Sequence, residues 1–196
     1  MSIIWATKNR DKSIGVICDT RIFRNTYNYI DWYDKLIEWK WFIVWVCWQL
    51  TWIEAIKDIK VSTDLFDNEL RSEHAVRNFL YSIRNLLKER YDSWWEDEWW
   101  DRHFWIDMTI CTHIDWEPRI FFSNWWAYVL DIKQDFHYSG FSADVLTGIS
   151  MEKINEQEIF DIDHSKLFLE KVMEKGQEIS IAYWPWKIFK ALHLTI

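Results

Sequence analysis

A shortage of glycine limits the turns that this chain can make. Its 196 residues include only 4 Gly but 17 Trp, whereas average usage would give about 14 Gly. Tight hairpins favour Asp-Gly or Asn-Gly, because their central residues take positive φ values at which a Cβ atom is costly. Asp115-Trp116 and Asn124-Trp125 lie between strand-like runs, where such pairs are expected. Tryptophan therefore stands at several positions where a folded chain needs glycine.

We hypothesise that many of these Trp are glycine codons misread in translation, because UGA encodes Trp in one variant genetic code and Gly in another. Further suspect positions lie in residues 38–41 and 183–187. If the Trp in residues 92–101 are glycine, this segment is an ordinary solvated loop. If they are Trp, it is a cluster of exposed aromatic side chains. The alternative is a truly Trp-rich protein, such as a membrane-interface or carbohydrate-binding module. UGG codons at Trp45 and Trp116 would contradict misreading.

Composition limits the class of protein. A chain of 196 residues, 49% of them hydrophobic, predicts one domain covering residues 1–196 with a full core. The net charge of −8 and the lack of a basic stripe argue against nucleic acid as a partner. Three scattered Cys without a CxxC motif fit a reducing cytoplasm. No secretory signal or bilayer-spanning run is visible, so we expect no membrane association.

Hydrophobic periodicity predicts blocks of strands separated by helices. The predicted strands are Ser2–Lys8, Ile14–Asp19, Asp34–Glu38, Phe42–Cys47, Phe104–Thr112, Pro118–Ser123, Ala127–Ile132, Gln134–Tyr138, Ile179–Tyr183 and Lys187–His193. The predicted helices are Ile53–Leu65, one around Val76–Leu87, a short one after Ser139-Gly140, and Asp163–Lys175. Trp39–Trp41 is the predicted turn of the second strand pair. This order predicts an α+β fold of packed antiparallel sheets covered by helices.

With glycine at the suspect positions, the first fifty residues resemble a proteasome β-type subunit and the bacterial proteasome-like peptidases, which are N-terminal-nucleophile (Ntn) hydrolases. The segments that carry the resemblance are Ser2-Ile3-Ile4-Trp5-Ala6, Val16-Ile17-Cys18-Asp19-Thr20-Arg21, Lys35-Leu36-Ile37-Glu38 and Phe42-Ile43-Val44-Trp45-Val46-Cys47-Trp48. The intervals of sixteen residues from Asp19 to Lys35 and ten from Lys35 to Trp45 match the family spacing. Tyr138-Ser139-Gly140-Phe141-Ser142 resembles the turn before the family's third helix. The resemblance implies a four-layer αββα sandwich of two antiparallel sheets flanked by helices.

The resemblance also implies a threonine- or serine-type endopeptidase mechanism. The family needs a hydroxyl on the first residue of the mature chain, whose α-amine acts as general base because its pKa lies near 8. Removal of Met1 would make Ser2 that nucleophile. Lys35 would activate the hydroxyl, Asp19 would hold Lys35 in place, and Ser139 would support the terminal amine.

Other residues are implied to bind the substrate. Backbone N–H groups near Trp48 and Gln49 would form the oxyanion hole, Cys47 would line the specificity pocket, and Arg21 would complete this set. The implied partners are a peptide or unfolded protein as substrate, other copies of the chain in a homo-oligomeric ring, and an ATPase regulator. We expect no cofactor and no metal, since the two-ligand motifs at His113-Ile114-Asp115 and residues 161–164 are too small for a metal site.

Three hypotheses about function remain open: an active peptidase, a non-catalytic ring or scaffold subunit, and an unrelated Trp-rich binding module. The scaffold hypothesis is supported by Val172 and Lys175. They stand where the family has an Asp and a Ser that position the terminal amine, and they cannot take over that role. The scaffold hypothesis also rests on an alternative alignment that places Met1 at the nucleophile position. Taken alone, Asp19 reads as a turn residue and Lys35 as a solvated charge at the start of a strand.

Overall fold

Two antiparallel β-sheets packed face to face form the body of the molecule in a computed structural model of the chain. The described residues are 3–20, 22–23, 29–30, 33–46, 50–91, 106–124, 129–140, 167, 171 and 189–195.

The first sheet has four strands in the order β10-β1-β2-β11. Its strands are β1 (Ile3–Lys8), β2 (Ile14–Asp19), β10 (Phe136–Gly140) and β11 (Phe189–Leu194). The β1–β2 turn is closed by a hydrogen bond of 2.8 Å from the Asn9 N–H to the Ser13 carbonyl oxygen. Both β1 and β2 are almost wholly buried, because neither lies at an edge of this sheet.

The second sheet has five strands in sequence order, as consecutive hairpins produce. Its strands are β5 (Leu36–Trp39), β6 (Phe42–Val46), β7 (Met108–Ile114), β8 (Glu117–Ser123) and β9 (Val129–Ile132). A separate short ribbon pairs β3 (Ile22–Phe23) with β4 (Tyr29–Ile30).

Helices α1 (Leu50–Ser62) and α2 (Glu73–Tyr91) cover the outer face of the five-stranded sheet, with a 3₁₀ helix (Leu65–Asp67) between them. Ser72 caps α2, because its side-chain oxygen accepts a 3.1 Å hydrogen bond from the Ala75 N–H. Apolar spacing marks six positions of α2, of which Val76, Phe79, Leu80, Ile83 and Leu87 are buried against the sheet and Leu86 is partly buried. No helix within the described ranges is long and apolar enough to cross a bilayer.

A separate apolar layer lies between the sheets and includes Ile4, Val16, Ile43 and Ile120. The outer face of the four-stranded sheet is also covered, since Trp5 points away from this layer and is 0% exposed. Leu167 and Lys171 are helical, within the predicted helix Asp163–Lys175. The molecule therefore has the αββα type of sandwich that was predicted; the helix expected after Ser139-Gly140 and the strand Ile179–Tyr183 lie outside the described residues.

Several predicted boundaries were wrong. Trp39 pairs with Phe42 and ends β5, so the turn comprises only Lys40 and Trp41. Strand β7 begins at Met108 rather than Phe104, because it must align with β6 through the pairing of Val46 and Met108.

Further differences occur in helix α1 and strand β10, among other elements. Helix α1 ends at Ser62, so Leu65 belongs to the separate 3₁₀ helix. Ser139 and Gly140 are strand residues rather than turn residues, because they pair with Ile4 and Ile3 of β1.

The Asp115-Trp116 hairpin has the backbone geometry that glycine favours. Asp115 has φ 52° and Trp116 has φ 65°, and the flanking residues Ile114 and Glu117 pair directly. Two central residues with positive φ define the type I′ turn, for which Asp-Gly is a preferred sequence. The Trp116 indole gains little in return, since it is 68% exposed. This turn supports the hypothesis that residue 116 is encoded as glycine.

Other indoles lie inside regular structure instead of at bends. Trp5 and Trp45 are buried in strands β1 and β6, and Trp52 is buried in helix α1. Trp45 lies in a strand, as predicted for Phe42–Cys47, and its backbone pairs with Leu36 and Thr109. Its indole N–H is buried without a hydrogen-bond acceptor among the described residues, which is an unfavourable environment for this polar group.

Candidate active site

The site is built around an ion pair that joins the two sheets. Asp19 is the last residue of β2 in the four-stranded sheet, and Lys35 directly precedes β5 in the five-stranded sheet. The Lys35 ammonium donates a hydrogen bond to Asp19 Oδ2. Both side chains are buried, with Lys35 0% and Asp19 1% exposed. Asp19 is thus not a turn residue and Lys35 is not a solvated charge.

The backbone around the pair is tied at two points. The Tyr33 N–H donates a 2.8 Å hydrogen bond to the Thr20 carbonyl oxygen, joining the residue after Asp19 to the chain just before Lys35. Asp34 Oδ1 accepts a 3.1 Å hydrogen bond from the Leu36 N–H and so fixes the start of β5. Lys35 lies between these two bonds, which limits the movement of its backbone.

A second ion pair lies beside the first. Lys190 of β11 donates to Asp34 Oδ2, and both side chains are partly exposed. Lys190 is also the register partner of Cys18 in β2, which places it one residue from Asp19 along the sheet. This pair has no signal in the sequence, because 156 residues separate its members and neither belongs to a recognisable motif.

Cys18 lies among these four charges and stays neutral. Burial raises the pKa of the Cys18 thiol, and the Asp19 carboxylate raises it further. The Lys35 ammonium acts in the opposite direction, but its effect is smaller. A protonated thiol is a poor nucleophile, so Cys18 is not the reactive group at this end of the sheet.

Strand β1 begins next to the ion pair. Ile4 of β1 pairs with Cys18, so Asp19 lies beside Ile3, the first described residue. On the other side of β1, Ser139 pairs with Ile4 and is buried. Asp19, Lys35 and Ser139 therefore lie near the start of β1. Ser2 lies outside the described residues.

The implied substrate-binding residues Arg21, Cys47, Trp48 and Gln49 also lie outside the described residues. The elements on either side of the last three are clear: β6 ends at Val46 and α1 begins at Leu50. Leu36, next to Lys35, pairs with Trp45. The β6–α1 connection therefore leaves the sheet at the end that carries Lys35.

The two-ligand motifs gain no further ligands where the structure describes them. No group of three His, Cys, Asp or Glu side chains with metal-binding geometry occurs in the described part of the chain. His113 Nε2 lies 2.8 Å from the Lys12 carbonyl oxygen, and Asp115 belongs to the positive-φ hairpin. Residues 161–164 lie outside the described ranges.

Comparison with solved structures identifies the fold. No protein-family model and no curated protein matches the sequence. The chain is similar to the Anbu helical assembly from Pseudomonas aeruginosa, with TM-score 0.70, 10% identity, and coverage of 97% of this chain and 80% of Anbu. Thiobacillus denitrificans BPH in complex with epoxomicin gives a TM-score of 0.69 at 12% identity, and the match covers 98% of this chain and 97% of BPH. HslV from Trypanosoma brucei gives a TM-score of 0.61 at 12% identity, and the match covers 99% of each chain.

The chain has the proteasome-like Ntn-hydrolase fold. Coverage of nearly the whole chain means that both sheets take part in the match. The resemblance seen in the first fifty residues is thereby confirmed at the level of fold. A proteasome-like fold also argues against an unrelated Trp-rich binding module.

Proposed function

We propose that this chain is a proteasome-like peptidase subunit that hydrolyses peptide bonds with Ser2 as its N-terminal nucleophile. The observation that carries the proposal is the buried Asp19–Lys35 ion pair at the end of the sandwich where β1 begins. A buried ion pair contributes little net stability compared with apolar packing. A fixed cation beside the start of the chain has an evident use, however, in an enzyme whose first residue is the nucleophile.

The first half of the reaction forms an ester. After Met1 is removed, the Ser2 hydroxyl oxygen attacks the carbonyl carbon of the scissile peptide bond and passes its proton to the Ser2 α-amine. The Lys35 ammonium favours the developing negative charge on that oxygen, and Asp19 keeps the ammonium in place. The tetrahedral intermediate collapses when the C–N bond breaks, and the leaving amine takes the proton from the α-amine.

The second half releases the product. Water attacks the ester carbonyl and gives a proton to the α-amine, which returns it to the Ser2 oxygen as the C–O bond breaks. Ser139 supports the α-amine through both halves. In this proposal, backbone N–H groups near Trp48 and Gln49 would stabilise the oxyanion, Cys47 would line the specificity pocket, and Arg21 would bind substrate.

The same proposal includes assembly. A neighbour in fold, Anbu from Pseudomonas aeruginosa, forms a helical assembly. We propose that copies of this chain also associate, as a homo-oligomer that encloses the site and works on unfolded polypeptides in the cytoplasm. An ATPase would then supply those polypeptides. Enclosure suits an unselective peptidase, because folded proteins cannot reach its active sites.

Mass spectrometry of the N-terminus and of an inhibitor adduct tests the catalytic proposal. Epoxomicin, the ligand of BPH from Thiobacillus denitrificans, should add its mass to the peptide that begins with Ser2. The Ser2→Ala variant should gain no mass and should lose peptide hydrolysis. A mature chain that retains Met1 would rule out Ser2 as nucleophile.

The second candidate is a non-catalytic ring or scaffold subunit. It is favoured by Val172 and Lys175, which stand where the family has an Asp and a Ser that position the terminal amine. This candidate predicts a homo-oligomer with Met1 retained, no epoxomicin adduct and no hydrolysis of unfolded peptides.

A further inference from the structure

We propose that Lys190 is a positioning residue for the reaction. Its ion pair with Asp34 keeps the Asp34 carboxylate away from the Lys35 ammonium, which therefore pairs with Asp19. This inference rests on the proposed function. It concerns a part of the site that lies on β11, far from the first fifty residues in sequence.

Two carboxylates, those of Asp19 and Asp34, belong to the charged cluster that contains the Lys35 ammonium. Asp34 precedes Lys35 directly in sequence, and Asp19 approaches from the other sheet. Lys35 donates to Asp19 while Asp34 is occupied: its Oδ1 accepts from the Leu36 N–H, and its Oδ2 accepts from Lys190. Lys190 is therefore the group that draws the second carboxylate away from Lys35.

The summed charge of the cluster also supports a role for Lys190. Asp19, Lys35, Asp34 and Lys190 carry two negative and two positive charges, and the Cys18 thiol among them is neutral. Loss of Lys190 would leave one net negative charge at the start of β1. That charge would oppose ionisation of a nearby hydroxyl and favour the protonated form of a nearby amine. Both effects would slow a reaction that uses a terminal hydroxyl and α-amine.

The test compares four variants by steady-state hydrolysis of a fluorogenic peptide. Lys190→Met should lower kcat by about tenfold, the effect expected of one added charge at close range, with KM little changed. The acid limb of its kcat–pH profile should move to higher pH. Lys190→Arg should stay close to the wild type. The double variant Asp34→Asn/Lys190→Met, which restores the charge balance, should recover most of the lost kcat.

Lys133→Met is the matched control, because it removes an exposed lysine that forms an ion pair with Asp131 on the other sheet. Its kcat should equal that of the wild type. The proposal is overturned if Lys190→Met keeps the wild-type kcat and pH profile, or if the double variant is as slow as Lys190→Met.

A crystal structure of Lys190→Met separates this proposal from the proposed function. Asp34 should turn so that its carboxylate accepts a hydrogen bond from the Lys35 ammonium. An Asp34 carboxylate that stays away from the Lys35 ammonium would overturn the positioning role. If the wild type hydrolyses nothing, the proposed function fails and this structural result decides the role of Lys190 by itself.

Discussion

Lys35 is an ammonium group with no exposed surface, and such a group is tolerated in a protein only when a partner compensates its charge. Asp19 supplies that partner from the other sheet. The pair therefore has two consequences for the folded chain: it places a cation near the start of β1, and it makes each member costly to remove alone.

Removal of one member of the pair should destabilise the fold more than removal of both. Lys35→Met leaves the Asp19 carboxylate buried without the Lys35 ammonium, so we expect the free energy of unfolding to fall by about 3 to 5 kcal/mol. Asp19→Asn/Lys35→Met removes both charges and should cost clearly less. Urea unfolding at pH 7, followed by circular dichroism, measures both. Equal losses in the single and double variants would show that burial of the charge is not the cause.

Trp116→Gly should stabilise the chain. A non-glycine residue at positive φ costs about 1 kcal/mol or more, and the exposed indole offsets little of this cost. Urea unfolding should therefore give a free energy higher by about 1 kcal/mol.

Trp41→Gly is the matched control for Trp116→Gly. Trp41 also lies in a two-residue hairpin turn, but its φ is not positive, and its indole lies 5.7 Å from the Arg71 guanidinium carbon. Glycine there should destabilise by about 0.5 to 1 kcal/mol, because it adds freedom to the unfolded chain. Stabilisation of similar size by both substitutions would remove the link to backbone conformation.

At the level of elements, β10 carries a histidine into the layer between the sheets. His137 pairs with Ala6 along the strand, and its ring lies 5.2 Å from that of Phe122. Its Nε2 has no hydrogen-bond partner among the described residues. Burial lowers the pKa of His137 from 6.5 to about 4.

Stability should therefore fall as pH is lowered through the range from about 6.5 to 4. The unfolded chain binds a proton at His137 in this range while the folded chain does not, so the loss from this residue should be about 3 kcal/mol at pH 4. His137→Phe should reduce the loss of unfolding free energy between pH 7 and pH 4 by about 3 kcal/mol. His193→Gln, at an exposed position on β11, is the control and should leave it unchanged. Unfolding curves at pH 7, 5.5 and 4 provide the comparison; identical slopes for wild type and His137→Phe would contradict the effect.

The elements also differ in how far the sequence could predict them. Strand β2 was predicted with its observed bounds, and the buried face of α2 followed from apolar spacing, because both signals are local. The β3–β4 ribbon was missed, since two-residue strands carry no periodicity. Cross-sheet contacts have no local signal at all. The Asp19–Lys35 pair was inferred only through family spacing, and the Asp34–Lys190 pair was not foreseen.

At the scale of the whole molecule, the proposed peptidase requires association. Native mass spectrometry and analytical ultracentrifugation should find a homo-oligomer at micromolar concentration. Peptide hydrolysis per chain should fall together with the oligomer on dilution, if the enclosed site depends on neighbouring copies. A monomer with full activity would contradict the enclosed-chamber proposal while leaving the Ser2 chemistry intact.

The hairpin at Asp115-Trp116 also bears on how the gene is to be read. A synthetic library can encode either residue at each doubtful position and be sorted for soluble expression. Enrichment of glycine at position 116 but not at position 41, compared with the codons of the natural gene at both positions, would show whether UGA is read as glycine. The folding of one small hairpin would then serve as an assay of a genetic code, without any need to culture the cell that uses it.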